Sequence, residues 1–298
     1  MKICWAFGFI LYFFITLAAA NDFKHIPLTD FRTGNSVTLS NFDQSKPTYI
    51  KMWATWCKPC MQQMPHFQSI NEKYGDKINI LAVNININED NQYIQDVIQK
   101  FGLTMPVLLD NEGQLGVALG LVGTPFSVLI NTDDNIVYTT HESDQILDTF
   151  IDKLAQGQKL KNEGSDLLND QQKKNIIEPW LKGDHILFFS ATWCDWYLKD
   201  SRPDMANHCK NIQSNINKIH EKSNNIAWHG FVNHLWTDKK TLADFIKLYD
   251  IQLPFDIDLG GVLFNHFNIR KIPTIIKIEK GKITKRITGD DINKMALE

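Results

Sequence analysis

Trp53-Ala54-Thr55-Trp56-Cys57-Lys58-Pro59-Cys60 is the stretch on which the reading of this chain turns. It completes Thr48-Tyr49-Ile50-Lys51-Met52-Trp53, a largely apolar run of strand type, and leads into helical spacing from Cys57 to Tyr74, interrupted by Pro65. Two cysteines separated by two residues at a helix start have a specific chemistry. The unpaired N–H groups of the first turn and the helix dipole favour a thiolate there. That makes the first cysteine a nucleophile near neutral pH. The second lies within the next turn, where it can attack a mixed disulfide and release the substrate. Pro59 falls in the first turn, where its missing N–H costs little, and Lys58 adds a nearby positive charge. A zinc ribbon would need a second Cys-x-x-Cys, and the chain has none. Cys57 and Cys60 are therefore the candidate catalytic pair.

Working outward, Val37 and Leu39 alternate with polar neighbours as in a short edge strand. Residues 78–83 and 106–109 read as strands. Residues 91–101 read as a helix, with Ile94, Val97, Ile98 and Phe101 at three- and four-residue steps. Strands at 126–130 and 136–138 flank Asn131-Thr132-Asp133-Asp134-Asn135, a hairpin signal, and 146–154 forms a closing helix. From 155 to 175 polar residues and Gly dominate, as in a linker or an exposed helix. The pattern then restarts: a strand at 186–190, Trp193-Cys194 with a long helical stretch, a strand at 226–232, a helix at 242–249, and strands at 274–278 and 282–287 around Lys280-Gly281.

This is an internal repeat. Ala54-Thr55-Trp56-Cys57 returns as Ala191-Thr192-Trp193-Cys194, and Thr124-Pro125 returns as Ile272-Pro273, each before a strand hairpin. Strands alternating with helices give an α/β fold, and the terminal hairpins add antiparallel edges. The expected organisation is a first domain over 21–155, a linker over 156–181 and a second domain over 182–298 that lacks the Cys-x-x-Cys.

The chain has 298 residues, about two domains by size. It is 43% hydrophobic and 22% charged, which excludes disordered and collagen-like classes, and its net charge of −3 offers no basic field for nucleic acid. Five cysteines are too few for a disulfide scaffold at this length. Met1-Lys2, the uncharged apolar run 3–17 and Ala18-Ala19-Ala20 read as a cleaved export signal over 1–20, with an uncleaved membrane anchor as the alternative. Either way the folded part is expected outside the cytoplasm. Cys4 would leave with the signal.

Residues 53–60, with Pro65 five positions beyond Cys60, resemble the TlpA/ResA branch of the thioredoxin superfamily, over about 22–154. The resemblance implies a thioredoxin fold there, with an N-terminal hairpin and a helical insertion after Val83, and the repeat makes it two tandem thioredoxin-like folds. It implies a cis Pro125 facing the disulfide and a Thr124 backbone available to a bound substrate segment. Trp56, Lys58, Pro59 and Gln63 would support the redox site. The implied activity is protein-disulfide reduction. The implied partners are thiols and disulfides of exported proteins and a membrane electron donor, with no cofactor. Two positions depart from the pattern. Lys51 stands where thioredoxin has a buried Asp, and Gln63 stands where the TlpA/ResA pattern has Glu. Both acids help move protons, so Lys51 either points to the surface or tunes Cys60, and Gln63 cannot titrate.

The second copy resembles the same branch more loosely. Tyr197 takes the place of the second cysteine in Cys194-Asp195-Trp196-Tyr197, and Pro203 matches Pro65 with one residue inserted. Cys209 lies fifteen positions after Cys194. On one continuous helix that is roughly 22 Å, against the limit of about 7 Å between Cα atoms for a disulfide. The two can pair only if the chain folds back near Ser201-Arg202-Pro203. Cys194 and Cys209 are a possible second redox site, or buried relics of a docking domain. A peroxidatic Cys194 would want Pro and Thr or Ser where the chain has Leu187 and Ala191. A non-enzymatic adaptor is the rival function for the whole chain. His208, His220, His229 and His234 fit no common zinc spacing, and Gly113, Gly116 and Gly120 form no phosphate loop. Trp193, Trp196, Trp228 and Trp236 are expected in core packing rather than in a groove.

Overall fold

The computed structural model of the protein describes residues 23–160, 168–222, 226–289 and 291–292. The expected export signal and part of the expected linker lie outside these residues. The first half runs β1 (Leu28–Asp30), β2 (Ser36–Val37), β3 (Thr48–Trp53), α1 (Lys58–Tyr74), β4 (Asn79–Asn84), α2 (Asn91–Phe101), β5 (Val107–Leu109), α3 (Gln114–Leu119), β6 (Phe126–Ile130), β7 (Ile136–Thr140) and α4 (Gln145–Ala155). The second runs α5 (Asp170–Ile177), β8 (His185–Ser190), α6 (Pro203–Glu221), β9 (Ala227–Asn233), α7 (Lys239–Leu248), β10 (Phe255–Asp258), α8 (Val262–His266), β11 (Thr274–Glu279) and β12 (Lys282–Thr288).

The strands form two sheets, ordered β2-β1-β5-β4-β3-β6-β7 and β10-β9-β8-β11-β12. The last five strands of the first order match the second one for one. In both, the central strand pairs parallel with its successor and antiparallel with the first strand of the terminal hairpin. These are two tandem thioredoxin-like α/β folds. The β1–β2 hairpin is extra to the first sheet and joins it through β5. The edge strand expected over Val37 and Leu39 is met only at Val37, because Leu39 opens a 3-10 turn, and β1 was not read at all.

Burial explains which residues occupy the centre. Tyr49, Ile50, Met52 and Trp53 of β3 are fully buried, as expected of a strand covered on both faces. In β8, Leu187 and Phe189 join a core that continues into the first half, while Ile186 and Phe188 pack in a separate cluster with Ile212, Ile216 and Ile219 of α6. Alternate residues point to opposite faces of a strand, so the second sheet serves a local core and a core shared with its neighbour.

One helix start differs from expectation. The helical stretch expected directly after Cys194 begins only at Pro203, because the intervening residues form turns, closed by Tyr197 N–H on Trp193 O and Arg202 N–H on Leu198 O. Pro203 opens α6, where a missing N–H costs little. Pro65, its counterpart in sequence, lies inside α1.

Candidate redox site

Strand β3 delivers the chain to the N-terminus of α1. Cys57 is the N-cap residue, and Cys57 and Cys60 form a disulfide with Cα atoms 5.2 Å apart. The donors of the first turn can be counted in full. Cys60 N–H donates to Cys57 Sγ at 3.1 Å, Met61 N–H donates to Cys57 O, and Pro59 has none. Lys58 N–H donates to the hydroxyl oxygen of Tyr197, in the second half of the chain, at 3.1 Å. Thr124-Pro125 is a cis peptide, as the resemblance implied, and so is Ile272-Pro273.

Lys51 is not at the surface. It is fully buried, and its ammonium meets three acceptors: Gln63 Oε1 at 2.7 Å, Ser143 Oγ at 3.1 Å and Ser127 Oγ at 3.3 Å. Burial lowers its pKa to about 7, against a smaller opposing effect of the Glu142 charge. Gln63 also accepts from Ser143 Oγ and donates to His141 O. The two departures from the family pattern are thus hydrogen-bonded to each other. Gln63 is three residues beyond Cys60 on α1, which puts the pair on the flank of the second cysteine.

The second half covers this site. Trp193 stacks on Trp56 with ring centroids 5.0 Å apart, and Trp236 meets both rings edge-on. Tyr197 lies edge-on to Trp56 and stacks on Trp236. All four cysteines of the described residues are fully buried. The contact follows an approximate two-fold relation. Trp56 Nε1 donates to Ile87 O and Trp193 Nε1 to Leu235 O. Asn88 N–H donates to Arg270 O, and Trp236 N–H to Val122 O. Arg270 and Val122 each stand three residues before a cis proline. Asn88 and Trp236 both hold positive φ, 52° and 51°, a conformation Asn tolerates and Trp rarely adopts. Trp196 and Trp236 are 61% and 41% exposed, so the expectation of core packing fails for them and stands for Trp193 and Trp228.

Cys194 and Cys209 form a second disulfide with Cα atoms 6.0 Å apart. The turns before Pro203 supply the fold-back that such a pairing requires. Cys194 Sγ accepts from Gln213 Nε2 at 3.3 Å. Asp195, next to Cys194, accepts from Tyr249 O–H at 2.5 Å. Thr124 is buried and its hydroxyl has no partner.

Several residues at this site escaped the sequence reading. Glu89 accepts from Thr55 N–H at 2.6 Å and Asn84 Nδ2 at 2.9 Å. Burial raises its pKa, and the Thr55 and Asn84 hydrogen bonds and the Arg202 charge oppose this. Arg202 donates to Thr55 Oγ1 at 2.8 Å and lies 3.6 Å over the Tyr93 ring. A cavity of about 620 Å³ opens beside Asn88, Tyr93, Arg202 and Pro273 but is not lined by either disulfide. The alternation Asn84-Ile85-Asn86-Ile87-Asn88-Glu89 was the available signal for this loop, since Asn86 also holds positive φ.

A redoxin family model matches residues 18–150. Thiol-disulfide oxidoreductase ResA of Bacillus thuringiensis (strain Al Hakam) is 30% identical over 138 residues, 44% of this chain and 78% of that protein. Sporulation thiol-disulfide oxidoreductase A of Bacillus subtilis (strain 168) is 31% identical over 108 residues, 36% of this chain and 64% of that protein. The crystal structure of a secreted Mycobacterium tuberculosis disulfide oxidoreductase aligns with a TM-score of 0.38 and 16% identity, over 44% of this chain and 94% of that one. With its Cys57–Cys60 disulfide at the head of α1 and a 30% identical relative matched over 78% of that relative's length, this chain belongs to the ResA-like thiol-disulfide oxidoreductases of the thioredoxin superfamily.

Proposed function

We propose that the protein is an extracytoplasmic disulfide reductase acting on exported proteins, with Cys57 as attacking and Cys60 as resolving thiol. The Cys57 thiolate attacks a substrate disulfide sulfur, and one substrate thiolate leaves. The Cys60 thiol, once deprotonated, attacks Cys57 Sγ and releases the second substrate thiolate. The two substrate sulfurs are reduced, and Cys57–Cys60 is left oxidised for a dithiol donor at the membrane to reduce again. Trp56, Lys58, Pro59, Gln63, Thr124 and Pro125 shape the pair's surroundings. The observation that carries this reading is the Cys57–Cys60 disulfide at a helix N-terminus, with Cys60 N–H on Cys57 Sγ. Export rests on the apolar start of the sequence, residues 1–20 being the signal. The working domains are 21–155 and 182–298, joined by 156–181. Among the described residues no helix is long and apolar enough to cross a membrane.

The test is reduction of a model protein disulfide by the full chain. Cys57→Ser should abolish turnover; full activity in that variant would remove the enzymatic assignment to this pair and favour an adaptor. A second reading is that Cys194–Cys209 passes electrons to or from the first pair. It is favoured by the disulfide those cysteines form, and it requires Cys194→Ser to slow turnover.

A further inference from the structure

The second motif lost its resolving cysteine, and the residue in that position, Tyr197, reaches back to the first. Of the four residues at the head of α1, Pro59 has no N–H, Met61 N–H serves Cys57 O and Cys60 N–H serves Cys57 Sγ. The fourth, Lys58 N–H, is held by the Tyr197 hydroxyl. That N–H is the remaining helix-end group able to stabilise negative charge on Cys57. The rings of Trp193 and Trp236 pack on Trp56, the residue before Cys57, and Trp236 is anchored by its backbone N–H on Val122 O. Gly123 makes that approach possible, since a Cβ there would lie 2.9 Å from Trp236 Nε1.

A disulfide carries no charge and tolerates an aromatic cover. A thiolate does not, because burying a charge without partners is costly. We propose that Tyr197, seated with Trp193 and Trp236, is a positioning residue for the exchange reaction: it withholds the Lys58 amide from Cys57 and so slows thiolate formation and attack at Cys57 while the contact is closed. The coupling is reciprocal. The cover disfavours the thiolate, and formation of the thiolate loosens the cover. This explains why a domain without Cys-x-x-Cys accompanies one that has it. The inference rests on Cys57 being the attacking thiol.

The test is the rate of iodoacetamide alkylation at Cys57 in the reduced full-length chain, followed across pH by peptide mass spectrometry. Tyr197→Phe keeps the ring and removes only the oxygen. It should raise the rate near neutral pH by roughly fivefold, the worth of one hydrogen bond, and move the pH midpoint of alkylation downward. Trp236→Ala removes a ring on which Tyr197 stacks as well as part of the packing on Trp56, and should raise the rate at every pH, including the alkaline plateau. A Tyr197→Phe midpoint that stays in place or rises overturns the proposal, as does unchanged or slower alkylation in Trp236→Ala. These readouts do not depend on turnover, so they fail separately from the reductase assignment.

Discussion

Lys51 is the residue whose chemistry departs furthest from what its position suggests. Its pKa is near 7 in the folded chain against 10.5 for the free side chain, so the unfolded chain binds the extra proton across that interval. Stability therefore rises as pH increases from about 7 to about 10.5, with a slope of up to about 1.4 kcal/mol per pH unit. Urea unfolding at about pH 7 and about pH 10 should show this rise in the native chain, and Lys51→Met should remove it. A slope that survives in the variant would mean that Lys51 is charged and well solvated. The identity of this residue was legible as an anomaly, but its burial was not. Its acceptors lie 12, 76 and 92 positions away, beyond any local pattern. Gly123 belongs to the same scale. Gly123→Ala should push Trp236 aside and speed alkylation of Cys57; no change would place Trp236 outside the cover.

At the scale of elements, a clear apolar period decided which helices could be read. Helix α2 was legible in full because its eleven residues carry a clear apolar period, with Asp90 capping one end through Gln92 N–H and Gly102 the other in left-handed conformation. The six- and five-residue helices α3 and α8 were not legible, being too short to show a helical period. They are fixed by buried carboxylates. Asp110 accepts from the N–H groups of Leu115 and Gly116, and Asp258 from those of Leu263 and Phe264. The same device recurs in both halves, another trace of the repeat. Asp258→Ala leaves two buried donors unmet and should cost about 1–3 kcal/mol in chemical denaturation. A loss within experimental error would show that water replaces the carboxylate.

For the whole molecule, the repeat Ala-Thr-Trp-Cys and the paired proline loops made two related folds legible, but not how they meet. The two tryptophans of that repeat read as core residues of separate domains. In the structure they stack on one another, and Leu187, Phe189 and Phe231 share a core with Trp56. The side chains that pack on Trp56 and hold the Lys58 amide, on either side of Cys57, come from the second copy, where sequence reading sees only a lost motif. A shared core predicts that both halves unfold together, so probes in each should report coincident denaturation midpoints. Two separated transitions would show that the shared core adds little.

The account depends most on Cys57 attacking and Cys60 resolving. The direct measurement is to incubate reduced Cys60→Ser protein with a disulfide-bonded protein substrate and map the trapped adduct by mass spectrometry. The account predicts a mixed disulfide on Cys57 that persists because no resolving thiol follows, and none in the Cys57→Ser variant. An adduct carried on Cys194 or Cys209 instead, or no adduct at all, would contradict it.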